Sequence, residues 1–128
     1  MTCRNAALMV MLPLFAACAG KPSAPAWTLL AAPPGEARAV YLDTANVVVN
    51  AGVIYVTLLT RKAGETAEAK GLPFGLIHAE ANCTAHRIDP TALKEEQYGA
   101  DGGRLGMQLV SLSAQQTEDV LARACSIR

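Results

Sequence analysis

The stretch Ile54-Tyr55-Val56-Thr57-Leu58-Leu59 decides the fold. Ile54, Val56 and Leu58 fall on one side of an extended chain and Tyr55, Thr57 and Leu59 on the other, so this is a strand with one core face and one partly covered face. Just before it, Asn50-Ala51-Gly52 offers residues that tolerate positive φ, as a tight hairpin demands, and Val47-Val48-Val49 supplies the hairpin's first arm. Ala37 to Leu42 reads as an earlier strand. It runs into Asp43-Thr44-Ala45-Asn46, where short polar side chains bond to nearby backbone as in a turn; a catalytic Asp43 is the alternative.

Outward in the other direction, Arg61 to Gly71 is polar and carries Gly64 and Gly71, which predicts a mobile loop. A second two-residue period follows it. Ile77, Ala79, Ala81, Cys83 and Ala85 share one face, while His78, Glu80, Asn82, Thr84 and His86 share the other. Leu93 to Tyr98 is contested, because Lys94-Glu95-Glu96-Gln97 favours a helix whereas Gly99-Ala100-Asp101-Gly102-Gly103 favours a hairpin turn. The glycines decide for a strand pair, Leu93 to Tyr98 with Arg104 to Leu109. Ser113 and Gln116 then form a capping box, Glu118 and Asp119 sit in the early turns, and Val120, Leu121, Ala124 and Cys125 make an apolar stripe. The expected fold class is α+β: an antiparallel β-sheet of about five to six strands with a C-terminal helix packed on one face.

The alternating strand also bears on candidate chemistry. His78 and His86 lie eight residues apart, about 26 Å along an extended chain, so they do not share a metal ion. His78 and Glu80 are near enough to interact, and with His86 they are the residues an enzyme would use as general base. No Ser or Cys nucleophile stands in a recognisable setting, so the reading is non-enzymatic. Asn82-Cys83-Thr84 matches a glycosylation sequon.

The first eighteen residues carry an address. Arg4 is a charged n-region, Leu8 to Ala17 an apolar h-region broken by Pro13, and Leu14-Phe15-Ala16-Ala17-Cys18 resembles a lipobox. That resemblance implies cleavage before Cys18, diacylglycerol on its thiol and an acyl group on its amine. Each methylene buried in a bilayer contributes about 0.8 kcal/mol, so several chains make a lasting anchor. The rival reading is ordinary cleavage at Ala17-Cys18-Ala19, which would release a product beginning at Gly20. At roughly half the length needed to cross a bilayer, the apolar run is no transmembrane anchor. Ala19 to Ala26, rich in Ala and Pro, reads as an extended, unpacked tether. The organisation is therefore a signal peptide over 1–17, the lipidated Cys18 and tether over 18–26, and one α+β domain over 27–128.

Composition bounds the rest. About 110 residues after the signal allow one small domain. The whole chain has two Phe, three Tyr and one Trp, and Phe15 leaves with the signal, so the domain's core rests on Val, Leu and Ile. Eleven basic and eleven acidic residues balance, and Lys21, Lys62, Lys70 and Lys94 are scattered rather than gathered on a face, which excludes a nucleic-acid footprint. Of four cysteines, Cys3 leaves with the signal and Cys18 is acylated. That leaves Cys83 and Cys125 as an even pair in an oxidising compartment, with Cys83 on the apolar strand face where a packed helix would bring Cys125. A disulfide is expected. A redox pair would want C-x-x-C spacing, and two Cys without neighbouring His or Asp make a poor zinc site, so no metal and no cofactor is expected.

The order of these parts resembles the surface-adhesin protein E type of small bacterial lipoprotein. The likeness is carried by Trp27 after the tether, Val40-Tyr41-Leu42-Asp43-Thr44-Ala45-Asn46-Val47, the run Gly52 to Leu59, the Cys-bearing Glu80 to Arg87, Tyr98 to Gly102 and the closing Cys125. It implies an antiparallel sheet with a packed helix, and a binding role toward host extracellular-matrix proteins. The expected function is a non-enzymatic cell-envelope lipoprotein, anchored in the outer membrane and facing the periplasm or the surface, which binds a protein partner through a sheet face or an edge strand. Tyr55 is its best aromatic candidate on an exposed sheet face, with a cross-strand structural role as the alternative. The alternative function is a structural or assembly accessory of the outer membrane.

Overall fold

A computed structural model describes residues 23–127. The signal peptide, Cys18 and most of the tether lie outside the described residues. In chain order the elements are β1 (Trp27–Leu29), β2 (Arg38–Asp43), β3 (Val48–Asn50), β4 (Val53–Lys62), β5 (Phe74–Asn82), β6 (Arg87–Ile88), a 3-10 turn (Pro90–Ala92), β7 (Lys94–Tyr98), β8 (Arg104–Leu109) and α1 (Ala114–Ile127). All strand pairings are antiparallel. The sheet runs β1-β2-β4-β5-β7-β8, with β3 beside one end of β4 and β6 beside one end of β5. The class is α+β, as expected, with eight strands in place of five to six. The two additions, β1 and β6, are three and two residues long. Segments that short cannot display a two-residue period.

The two hairpins and the helix start follow from local chemistry. β3 and β4 are joined by Ala51 and Gly52 alone, both at positive φ (53° and 83°), the pair of conformations that a two-residue hairpin matched to strand twist requires. β7 and β8 are the strand pair that the glycine-rich turn predicts. There Gly99 and Gly103 close the loop backbone to backbone, and Asp101 Oδ1 accepts from the Gly103 amide at 2.9 Å. At α1 the capping box is formed in both directions: Ser113 Oγ accepts from the Gln116 amide and Gln116 Oε1 accepts from the Ser113 amide, each at 3.0 Å.

Two sheet faces result. On the helix side lie Val40 and Leu42 of β2, Ile54, Val56 and Leu58 of β4, and Ile77, Ala79 and Ala81 of β5, closed over by Val120, Leu121 and Ala124 of α1. Cys83 and Cys125 are bonded, with Cα atoms 5.8 Å apart, and tie α1 to the end of β5. The opposite face is covered at one end only. There the segment after β4 folds back over Leu59 and Arg61, with the Tyr41 hydroxyl donating to the Glu65 carbonyl at 2.6 Å.

Three local expectations need correcting. β4 runs on to Lys62, and the polar segment behind it is not a free loop: the Arg61 guanidinium, 7% exposed, donates to the Ala67, Ala69 and Leu72 carbonyls. A buried cation demands that shell of acceptors, so the segment wraps around it. β5 starts at Phe74 and stops at Asn82, whose side-chain oxygen accepts from the Ala85 amide, so Ala85 is exposed in a turn rather than packed on the apolar face. The end of the tether is also held. Ser23 exchanges hydrogen bonds with the Asn46 side chain, and the Ala26 amide donates to Asp43.

Candidate functional site

The residues singled out for chemistry do not converge. His78 stands on the open face of β5 and meets Glu96 of β7, Nε2 to Oε1 3.5 Å. His86 is not on the strand at all. It occupies the turn after β5 at φ 53°, 2.9 Å from Glu118 of α1. Glu80 borders a polar hollow of 420 Å³ with Val53, Asn82, Ala85, Arg87 and Asp89, in which neither histidine takes part. Beside it, hydrogen bonds from the Thr91 hydroxyl and amide hold the Asp89 carboxyl below the ordinary carboxylate range. Asp43, 4% exposed, spends its oxygens on the Ala26 and Ala45 amides and the Asn46 side chain, which is the turn role. Among the described residues no group of three His, Cys, Asp or Glu side chains is placed to hold a metal ion.

Sequence reading missed a buried carboxylate. Glu95 of β7 is 2% exposed, on the helix-side face but beyond the reach of α1. Its Oε2 accepts from Arg38 Nη1 at 2.8 Å and from the Thr60 hydroxyl, and its Oε1 accepts from Gln108 Nε2 at 3.3 Å. Each donor comes from a different strand, so the polar cluster knits β2, β4, β7 and β8 where apolar packing has run out. Gly75 makes room for it: a Cβ there would stand 2.5 Å from Glu95 Oε2 and 2.7 Å from its Cδ. A cavity of 420 Å³ opens over this cluster, bordered also by Phe74 and Tyr98, whose rings stack at 4.9 Å. With donors on both oxygens, the carboxylate acts as a cross-strand tie. The signal for it was the alternation itself, since Glu95 shares a face with Leu93.

The feature with most to offer a partner is the far edge of the sheet. β8 pairs only with β7 among the described residues, and its outer side is a row of unbonded backbone groups. The Val110 amide donates to the Leu93 carbonyl at 3.0 Å, continuing the ladder between the two strands. Antiparallel bonding alternates residue by residue, so Gln108, like Val110, turns its backbone toward β7, and Met107 and Leu109 turn theirs outward. Those two, with Leu105, carry the strand's large apolar side chains, at 73% (Leu105), 50% (Met107) and 69% (Leu109) exposed. The strand holds one charge, Arg104 at its start, and no Lys or Pro; a register shift opposite Gln97 and Tyr98 leaves Leu105 outside the regular ladder, so the regular part of the edge is Gly106 to Leu109. Period two on Leu105, Met107 and Leu109 was visible in the sequence; that this strand would lie at an edge was not. Tyr55, 40% exposed, lies opposite Val48 and Glu80 in the interior of the sheet as a cross-strand neighbour.

Comparison with protein-family models, with curated proteins and with solved structures gives no match to this chain.

Proposed function

We propose that the protein is a non-enzymatic lipoprotein of the bacterial envelope, anchored by acylated Cys18, which binds a protein partner by adding a strand to the outer edge of β8. One observation carries the reading: outward-facing backbone groups and exposed apolar side chains coincide on Met107 and Leu109. In strand addition the backbone supplies affinity and alternate side chains supply selectivity, and this edge presents both. The likeness to surface-adhesin protein E suggests a host extracellular-matrix protein as partner; the accessory reading differs in naming an envelope protein instead. Hydrogen bonds hold Ser23 and Ala26 to the Asp43–Asn46 turn, so an anchor at Cys18 would join the domain close to a fixed point.

The test places a photo-crosslinking amino acid at Leu109 of the full chain in living cells, with Glu80 on the open sheet face as control. A discrete protein adduct from Leu109, absent from Glu80, is the expected result, and its identity separates host matrix from envelope partner. Equal labelling at both positions, or none at Leu109, defeats strand addition. Intact mass of the membrane-fraction protein, before and after thioether-specific cleavage, reports acylation of Cys18.

A further inference from the structure

We propose that the cavity over Glu95 is a binding site for a small monocarboxylate with an apolar body. The charges around it do not balance. Arg38, Arg61 and Lys62 border the cavity against Glu65 and Glu95, which leaves one positive charge over. Two of the cations are direct neighbours: Arg38 of β2 lies opposite Lys62 of β4, so their side chains leave the same face with Cα atoms roughly 5 Å apart. Like charges so placed repel. Glu95 answers Arg38 alone, through Nη1, and Glu65 accepts from the Lys62 backbone amide at 3.1 Å, so the Lys62 ammonium enters no ion pair among the described residues. Arg61, 7% exposed, adds a buried Nε that has no acceptor there. An anion seated between Arg38 and Lys62 relieves the repulsion and accepts from both. One negative charge completes the balance, which selects a carboxylate over a doubly charged phosphate.

The rest of the border calls for an apolar body. The register shift between β7 and β8 takes Leu105 out of the ladder, and its side chain, 73% exposed, borders the cavity instead. A bulge re-aims a side chain in this way, and bulges gather beside binding sites. Pro73, Phe74 and Tyr98 continue the apolar border next to the two cations. At 420 Å³ the cavity lies within the roughly 300–1,000 Å³ of small-molecule sites, which join an apolar lining to a few placed polar groups. Such a ligand covers Leu105 with its body while its carboxylate meets Arg38 and Lys62. It occupies different ground from the outer edge of β8, so the two readings stand or fall separately.

The probe is benzoate, set against benzyl alcohol and benzylamine, which keep the ring but carry no charge or the opposite one. Full-length protein in lipid nanodiscs, dialysed to equilibrium with labelled benzoate beside empty discs, should take up about one molecule per chain with roughly millimolar affinity. Excess benzyl alcohol or benzylamine should leave that uptake in place. Lys62 and Leu105 are exposed, so changes there leave the fold intact. Lys62→Gln should weaken benzoate binding about threefold to tenfold, and Lys62→Glu should abolish it. Lys94→Gln, which removes the same charge from a residue outside the cavity border, should have no effect. Leu105→Ser should weaken benzoate without admitting benzylamine. Discs loaded with oleate separate two sources of the carboxylate: displacement of benzoate assigns a fatty acid of the membrane, and no displacement assigns a soluble acid. Absence of saturable uptake up to about 20 mM overturns the site. Equal competition by benzyl alcohol, or equal weakening by Lys94→Gln and Lys62→Gln, overturns it too.

Discussion

Glu95 shows how one residue holds sheet geometry that packing alone would leave loose. Its carboxylate is buried at 2% exposure, and water has been replaced by an arginine, a threonine and a glutamine from three other strands. Burying an ion without such partners costs several kcal/mol, so the donors and the absent Cβ at Gly75 are conditions for its presence. Gly75→Ala is therefore expected to destabilise the protein by about 1–3 kcal/mol, as forced overpacking does. Glu95→Ala should cost a similar amount through the orphaned donors. The two changes share one clash, so the double variant should fall short of the sum by more than about 0.5 kcal/mol, measured by urea unfolding of all four proteins. Additivity would mean that the contact between residues 75 and 95 carries no energy. Alternation places Glu95 on the face of Leu93, but its role as a tie depends on which strands stand beside β7, and strand order is a long-range property. Asp43 was legible for the opposite reason: its partners Ala45 and Asn46 are two and three residues away.

At the scale of the element, the strands that could be read are those whose period is long enough to show. β4 and β5 declare themselves by alternation, and the β7–β8 hairpin by its glycines, even though Lys94-Glu95-Glu96-Gln97 prefers helix. Tertiary pairing overrode that preference. β1 and β6 exist only because β2 and β5 offer them backbone partners, and two or three residues carry no pattern of their own. The β3–β4 hairpin retains an imperfection that can be corrected. Ala51 holds φ at 53°, a left-handed conformation that its Cβ disfavours by roughly 1–2 kcal/mol, while Gly52 beside it is at ease. Asn-Gly is the favoured pair for such turns, so Ala51→Asn should stabilise the fold by about 0.5–1 kcal/mol. The check is thermal unfolding, in which a rise of several degrees is expected for a domain of this size. An unchanged or lowered midpoint would mean that the turn is already relaxed.

For the whole molecule, the question is what keeps α1 on the sheet. Its buried contribution is Val120, Leu121 and Ala124, with Gln116 in the first turn: an apolar face of modest size for a helix of fourteen residues. The bond from Cys83 to Cys125 spans a sequence separation of 42 and encloses β6, β7 and β8, so it restrains both the helix and the β8 edge in the unfolded chain. A loop of that length is worth roughly 4 kcal/mol by chain entropy, a large part of the net stability of a small domain. The pairing was legible because alternation put Cys83 on the apolar side and the helical stripe put Cys125 inward; its geometry needed the fold. Replacing both cysteines by serine should lower the unfolding free energy by about 2–4 kcal/mol, and α1 should yield first. Asp119 bonding to the Ala31 amide and Glu118 near His86 are surface contacts of small worth. Hydrogen exchange in the double variant should accordingly show the amides of α1 opening at lower free energy than those of β4 and β5, whose mutual pairing is the longest in the sheet. If helix and central strands open together at one reduced value, the disulfide stabilises the domain as a single unit and gives α1 no separate hold.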